Sequence, residues 1–412
     1  MGFFAKEEKT LTEYVSDFAL FLILTGFSLY SQILTVVYTI FFTYTKKMVD
    51  EKLAELGIIV DGPSPTDIQV INGRRFYTRV AIERSYGLME GRLDGDWDIE
   101  DFRGFVSIIF SSRRHAEFAH PLAWIFKAFN LQTKARAFEV GKSHYDDANP
   151  IITAMIDSNL QYTCGYWKTA TNLEDAQIAK MDLIAKKLNL SPGMSVLDMG
   201  CGYGTLGIYL AKNYGVSIVG CSVSREQIKY AQNLAKKENL SNCTFLLTDY
   251  RNMTGSFDRI VSIGLFEHIG VKNYADFFTL CQSLLKNDGI FLLHTIGNLL
   301  NSLNPKDFWL HKYIFRNSYC PHYLELCGAI EDKWVIEDWQ NLGFDYSKTI
   351  DAWEAKFDQS WGQFEKRYGK RFHTMWKLYL QSSSALFETR SLHLWQLVLS
   401  KDGIKGGYHA AR

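Results

Sequence analysis

The sequence predicts an α/β fold: a parallel sheet covered on both faces by helices, preceded by a smaller unit and an N-terminal hydrophobic helix. Three observations predict it. From about Gln132 onward, short apolar stretches alternate with segments of helical period. Three glycines, Gly200, Gly202 and Gly204, follow directly on one of those stretches, where a strand must turn into a helix. An uncharged run from Phe18 to Tyr44 stands apart from both. With 412 residues, 47 % hydrophobic and 15 % aromatic, the chain can bury more than one core, which excludes general disorder. The expected division is residues 1–50 as a hydrophobic N-terminal segment, 51–131 as a small N-terminal domain and 132–412 as the large domain that carries the glycine turn.

The run Phe18–Tyr44 exceeds the ~20 residues that cross a hydrocarbon core. Glu13 and Asp17 precede it and Lys46 and Lys47 follow it, so the positive-inside tendency places the remainder in the cytosol. No basic segment precedes the run as a signal peptide requires. Thr25, Ser28, Gln32, Thr35, Thr39 and Thr43 recur every three or four residues and line one helix face. That face can meet another helix in the bilayer or lie in the interface; length favours a span, and both remain open.

Asp61-Gly62-Pro63-Ser64-Pro65 is a turn that opens the next unit, and residues 67 to 129 read as a small α+β or helical domain. Beyond it, helices are expected around 175–188, 206–213 and 224–237. Strands are expected at 195–199, 216–219, 244–247, 259–263 and 289–294.

Formal net charge is zero and no dense Lys/Arg tract occurs, so nucleic acid is not an expected partner. The seven cysteines form no C-x-x-C pair, which points to buried thiols in a reducing compartment rather than zinc or disulfides.

Val196-Leu197-Asp198-Met199-Gly200-Cys201-Gly202-Tyr203-Gly204 resembles motif I of class I S-adenosylmethionine-dependent methyltransferases. Asp198 ahead of the glycines separates it from the dinucleotide fingerprint. The resemblance implies a Rossmann-like domain with Asp198, Gly200, Gly202 and Gly204 at the cofactor. Many such enzymes carry an acidic residue after the second strand to hold the ribose, and this chain has none. Ser222, Ser224 and Gln227 offer neutral hydrogen-bonding groups there, although Ser224 also suits a plain N-cap. Asp249 can accept from the adenine amino group and Tyr250 can pack on the ring.

Further segments carry a narrower resemblance: Tyr162-Thr163-Cys164-Gly165-Tyr166-Trp167, Gly264-Leu265-Phe266-Glu267-His268-Ile269-Gly270, Leu292-Leu293-His294-Thr295-Ile296-Gly297, Glu337-Asp338-Trp339-Gln340-Asn341 and His393-Leu394-Trp395-Gln396. Together with Leu93-Asp94-Gly95-Asp96-Trp97 they look like the signatures of cyclopropane-fatty-acyl-phospholipid synthases, from about Asp61 to the C-terminus. Related mycolic-acid synthases and plant alkaloid N-methyltransferases share parts of the pattern.

This resemblance implies S-adenosylmethionine as methyl donor, with Tyr162 and Thr163 also at the cofactor. Unsaturated phospholipid acyl chains would be the substrate, at a membrane, with a homodimer left open. It further implies a bound bicarbonate held by the side chains of Glu267, His294 and Tyr346 and by backbone groups of Cys164 and Ile296. An alkene is a weak nucleophile, so the donor must be held in line; methyl attack leaves a cation, and a base must remove a proton before the ring closes. Bacterial synthases often carry a cysteine in the stretch matching Leu380-Gln381-Ser382-Ser383-Ser384-Ala385, where this chain has serines. Trp309, Tyr313, Phe315, Trp334, Trp339, Trp353, Phe357 and Trp361 supply aromatic surface suited to a greasy tunnel, although most such rings are simply core. The competing readings are methylation of an acyl chain without ring closure, methylation of an amine, and a catalytically silent lipid-binding protein.

Overall fold

The computed structural model describes residues 9–134, 149–299 and 308–412. The chain divides into two units. One holds the described residues of Met1–Leu131, Leu303–Arg316 and Gly362–Ser391, the other those of Gln132–Ser302, Asn317–Trp361 and Leu392–Arg412. The expected catalytic stretch 132–412 is therefore interrupted twice by segments that group with the first unit.

The first unit is mainly helical. Helix α1 (Leu11–Ile40) starts on a capping box, in which the Thr10 side chain accepts from Glu13 N and the Glu13 carboxylate accepts from Thr10 N. The uncharged run is not one helix. Phe41, at φ −95° and ψ 39°, ends α1, and α2 (Phe42–Ala54) follows with Thr45, Val49 and Leu53 buried. Asn72 caps α3 (Gly73–Glu83). Among the described residues of this unit, the sheet is a two-residue ladder, Gln69–Val70 against Trp97–Asp98, with an isolated bridge between Val60 and Ile68. Trp97 is fully buried and its indole N–H donates to Leu88 O, which satisfies the one polar atom of a large apolar ring.

The second unit is a seven-stranded sheet. Leaving aside the short helices Asn149–Met155 and Tyr323–Ile330, its described α-helices and strands are, in chain order, α4 (Leu173–Lys187), β1 (Ser195–Met199), α5 (Thr205–Tyr214), β2 (Ser217–Ser222), α6 (Arg225–Lys237), β3 (Cys243–Leu247), β4 (Phe257–Ile263), α7 (Tyr274–Leu284), β5 (Leu285–Gly297), β6 (Val335–Asn341), α8 (Gly343–Ser360) and β7 (His393–Ser400). Helix α9 (Glu365–Glu388), which lies between α8 and β7 in the chain, belongs to the first unit; there it packs along the helix Phe102–Ser111, and Arg103 pairs with Glu388. The strand order is β3-β2-β1-β4-β5-β7-β6.

The five strands expected from the sequence run parallel, and β7, which pairs antiparallel with both β5 and β6, makes the whole sheet mixed. An antiparallel strand on an otherwise parallel sheet is a common solution. Side chains alternate between two apolar layers. Val196, Leu292 and Val398 face the layer of α4, α5 and α6. Leu197, Phe291, Leu293, Leu397 and Leu399 face that of α7. A strand covered on both sides reads as an unbroken apolar run, and each fully buried Leu or Phe contributes about 1.5–3 kcal/mol.

Candidate active site

The site assembles at the C-terminal ends of the parallel strands, where chain reversals leave backbone groups free for ligands. Beyond β1, Gly200, Gly202 and Gly204 all adopt positive φ, the region that favours glycine. They do so for different reasons. A Cβ on Gly204 would stand 2.6 Å from Ala231 Cβ, so that glycine lets α5 pack close. A Cβ on Gly202 would meet nothing within 4 Å, so the turn opens a cradle at that point. Gly200 N and Cys201 N both donate to Cys221 O, tying the turn to β2.

Asp198 is buried, its Oδ2 has no hydrogen-bond partner, and burial lifts its pKa to about 7 against the pull of Lys180. Such an orphaned acceptor beside an open glycine cradle fits a ligand that carries hydroxyl or amino donors. S-adenosylmethionine is such a ligand. Lys180 on α4 is itself fully buried. It donates to Gln161 Oε1 (2.5 Å) and Thr163 Oγ1 (2.9 Å), and burial lowers its pKa to about 8. Gln177 Nε2 donates to Thr163 O, and Gln161 Nε2 to Thr205 Oγ1. Thr163 is thus fixed by two buried side chains of α4. The neighbouring Tyr162 ring packs 5.0 Å from Trp353.

Ser222, Ser224 and Gln227 form a local cluster at the end of β2. Ser222 Oγ donates to Gln227 Oε1, and Ser224 caps α6 through Gln227 N. The capping role is therefore realised for Ser224. Asp249 is buried and grips Arg251 at both oxygens (2.8 and 2.9 Å), and Tyr250 packs edge-on to Phe277 at 5.5 Å.

The second cluster lies around β4 and β5. Glu267 follows β4, and its Oε1 accepts from Ile296 N at 2.6 Å. Its Oε2 has no hydrogen bond, and burial raises its pKa to about 7, partly offset by the Ile296 N–H. Of the Ile296 backbone groups expected near an anion, the N–H is thus engaged by Glu267, a carboxylate that needs a donor once buried. His294 lies two residues before Ile296, on the same face of β5. It is buried, and burial holds its pKa well below the ordinary imidazole range, so the ring is neutral. Its Nδ1 lies 3.2 Å from Gln396 Nε2 on β7.

Cys164 and Tyr346 approach through α8. Cys164 Sγ contacts Gly165 O and Leu342 O, Gly165 N and Trp167 Nε1 donate to Thr349 Oγ1, and the Tyr346 ring packs edge-on to Trp353. Burial raises the Cys164 thiol far above its usual range, so it is no nucleophile. In the serine stretch, Ser382 Oγ donates to Leu378 O of its own helix, on the first unit. The aromatic residues divide: Trp309, Tyr313 and Phe315 belong to the first unit, and Trp334, Trp339, Trp353, Phe357 and Trp361 to the second.

Lys180, Gln161 and Arg251 escape the sequence reading, and Gln396 enters it only inside a signature, with no role of its own. Lys180 carries a signal all the same: it sits among Ala176, Met181 and Ile184 on a buried helix face, where a lysine needs a partner.

A mixed seven-stranded sheet with this glycine turn at β1 defines a class I S-adenosylmethionine-dependent methyltransferase. The mycolic acid cyclopropane synthetase family matches residues 132–397. The cyclopropane-fatty-acyl-phospholipid synthase of Escherichia coli K12 is 43 % identical over 371 residues, which cover 89 % of this chain and 96 % of that one. The solved cyclopropane synthase MmaA2 of Mycobacterium tuberculosis superposes with a TM-score of 0.61 at 28 % identity, over 66 % of this chain and all of that one. A mycolic acid cyclopropane synthase complexed with SAH and CTAB gives 0.60 at 30 % identity, over 64 % and 98 %. The chain belongs to the mycolic acid cyclopropane synthetase family and is a cyclopropane synthase of the methyltransferase class.

Proposed function

We propose that this enzyme adds a methylene bridge across the cis double bond of an unsaturated phospholipid acyl chain, with a bound bicarbonate as base, on the cytosolic face of a membrane. The likeness to the Escherichia coli enzyme along 89 % of the chain supports the phospholipid substrate. One observation carries the base: a buried carboxyl, Glu267, with one oxygen left without a partner and the other held by the N–H of Ile296, which lies two positions along β5 from neutral His294.

S-adenosylmethionine, when bound, supplies the activated methyl group; bicarbonate, when bound, supplies a small base. The chain's own residues prepare both places. Gly202 leaves room beside β1 and Asp198 Oδ2 offers an acceptor there. Lys180 and Gln177 hold the Thr163 segment still, which is the condition for in-line attack by a weak nucleophile. Glu267 has a pKa near 7, so near neutral pH much of it is protonated. In that form it donates to an anion instead of repelling it. His294, neutral and held through Nδ1, presents its other nitrogen as a donor. Tyr346 offers its hydroxyl as a third donor by motif position. Burial of all three excludes water, which would otherwise capture a cation.

The test is incubation of the full chain with labelled S-adenosylmethionine and unsaturated phospholipid vesicles, followed by mass analysis of released acyl chains. Label in a chain that gains one CH2 and resists ozonolysis establishes the ring. Labelled chains still cleaved by ozone show methylation without closure, and label confined to an amine overturns the reading.

A further inference from the structure

Helix α1 has two faces with different surroundings. Leu20, Ile23 and Phe27 pack against Leu122 and Ile125 of the same unit, and the Phe27 ring lies 5.0 Å from His120. Leu34 and Tyr38, further along that line, are also half-buried. On the opposite side Phe18, Leu22, Leu29, Ile33, Val36 and Ile40 follow one another at helical spacing, each more than half exposed. Beyond Asp17 the polar residues of α1, among them Thr25, Ser28, Gln32, Thr35 and Thr39, are neutral and flank this apolar face. Thr35 and Thr39 turn their hydroxyls back to Ser31 O and Thr35 O of their own helix. Tyr14 and Tyr30 are exposed alongside, rings suited to the headgroup level. From Thr10 to Thr45 the sequence has no Lys or Arg.

We infer that α1 lies in the plane of the bilayer surface, one side on its own protein and the other inserted among acyl chains, and that it selects loosely packed, unsaturated lipid without the help of anionic headgroups. This rests on the proposed membrane reading and deepens it. A helix that crossed the bilayer would draw its packing neighbours into hydrocarbon with it. Those neighbours include His120, beside Ala119, whose carbonyl accepts from the Arg84 guanidinium. Charged groups are excluded from that depth unless paired. An in-plane position keeps them outside and still removes the Phe18–Ile40 face from water.

The lipid preference follows from charge. With no cation along α1, and with Glu13 and Asp17 at its start, an anionic surface adds no attraction. Binding then depends on how readily the leaflet opens gaps for Phe18, Leu22 and Ile33, and kinked chains open them most easily. A device of this kind would bring the enzyme to membrane rich in the double bonds it consumes.

The experiment adds full-length protein to preformed vesicles and measures co-sedimentation. Fluid diunsaturated phosphatidylcholine should bind about ten-fold more tightly than fluid disaturated phosphatidylcholine. Binding should be equal at low and high salt, unchanged by added phosphatidylglycerol, and reversed by alkaline carbonate. Leu22→Glu with Ile33→Glu should lower vesicle binding at least about ten-fold while cofactor affinity, measured on the same protein, stays at the wild-type value. Carbonate-resistant protein overturns the in-plane position and leaves membrane association standing. Salt-sensitive binding, or binding indifferent to the double variant, overturns the role of this face. Light scattering that shows a dimer broken by the same substitutions assigns the face to a second copy and also overturns it.

Discussion

Gln396 Nε2 stands 3.2 Å from His294 Nδ1, across a directly opposed pair of the antiparallel strands β5 and β7. An amide nitrogen only donates, so it holds Nδ1 as acceptor and leaves the imidazole proton on Nε2. Gln396 is fully buried and cannot turn away to water. It acts as a positioning residue: it selects the tautomer that His294 offers to the site.

Gln396→Glu should lower kcat by at least about ten-fold, because a carboxylate accepts from Nδ1–H and so favours the other tautomer. Cofactor affinity should change little. Nitrogen NMR of His294 in the variant is the independent readout; an unchanged Nε2–H tautomer would remove the role assigned to Gln396.

Glu267→Ala and His294→Ala should lose turnover by about 10²–10⁴-fold while S-adenosylhomocysteine affinity stays within a few-fold of wild type. Added bicarbonate should partly restore the weaker variant. Wild-type turnover that is unaffected by rigorous removal of bicarbonate would show that another group is the base.

Gly202→Val should abolish cofactor binding. The added branches would fill the space beside Gly202, and φ of 52° is unfavourable for a β-branched residue. Calorimetry with S-adenosylhomocysteine reads the loss, and near-normal affinity would relocate the cofactor.

The Glu267 carboxyl also makes a stability prediction. Its pKa rises from 4.5 to about 7 on folding, so the native state holds its proton more tightly than the unfolded chain does. That contribution is complete below pH 4.5 and is lost as pH rises through 7. Glu267→Gln cannot ionise. Its melting temperature relative to wild type should climb between pH 5 and 7.5 in bicarbonate-free buffer and level off above. A difference that is flat with pH would mean that the carboxyl is ordinary in the native state.

Much of this is legible in the sequence, for physical reasons. Strand β1 can be placed residue for residue because a short apolar run before three glycines has few alternatives, and Ser224 announces the start of α6. Strands β6 and β7 do not stand out as strands. β7 is buried at every position, so it shows no alternation, and its pairing with β5 is set by tertiary contact. Glu267 and His294 are recognisable from motif position, yet the Glu267–Ile296 bond and the Gln396 contact join residues distant in sequence, which local pattern cannot show. The split of the uncharged run at Phe41 is equally hidden, since Phe41 looks like its neighbours and only its backbone differs.

The place of β7 bears on how the protein comes into being. This strand fills the gap between β5 and β6, with Phe291 opposite Leu399. Until it arrives, β5 presents an open, apolar edge of the kind that captures other chains. During synthesis the first five strands can associate early, but that edge stays exposed while the whole intervening stretch is made. Closure by β7 then delivers Gln396 to His294, so the chemistry is armed only when the sheet is sealed. Nascent chains halted before His393 should be both inactive and prone to aggregate, and the edge of β5 is where a chaperone would have to stand guard.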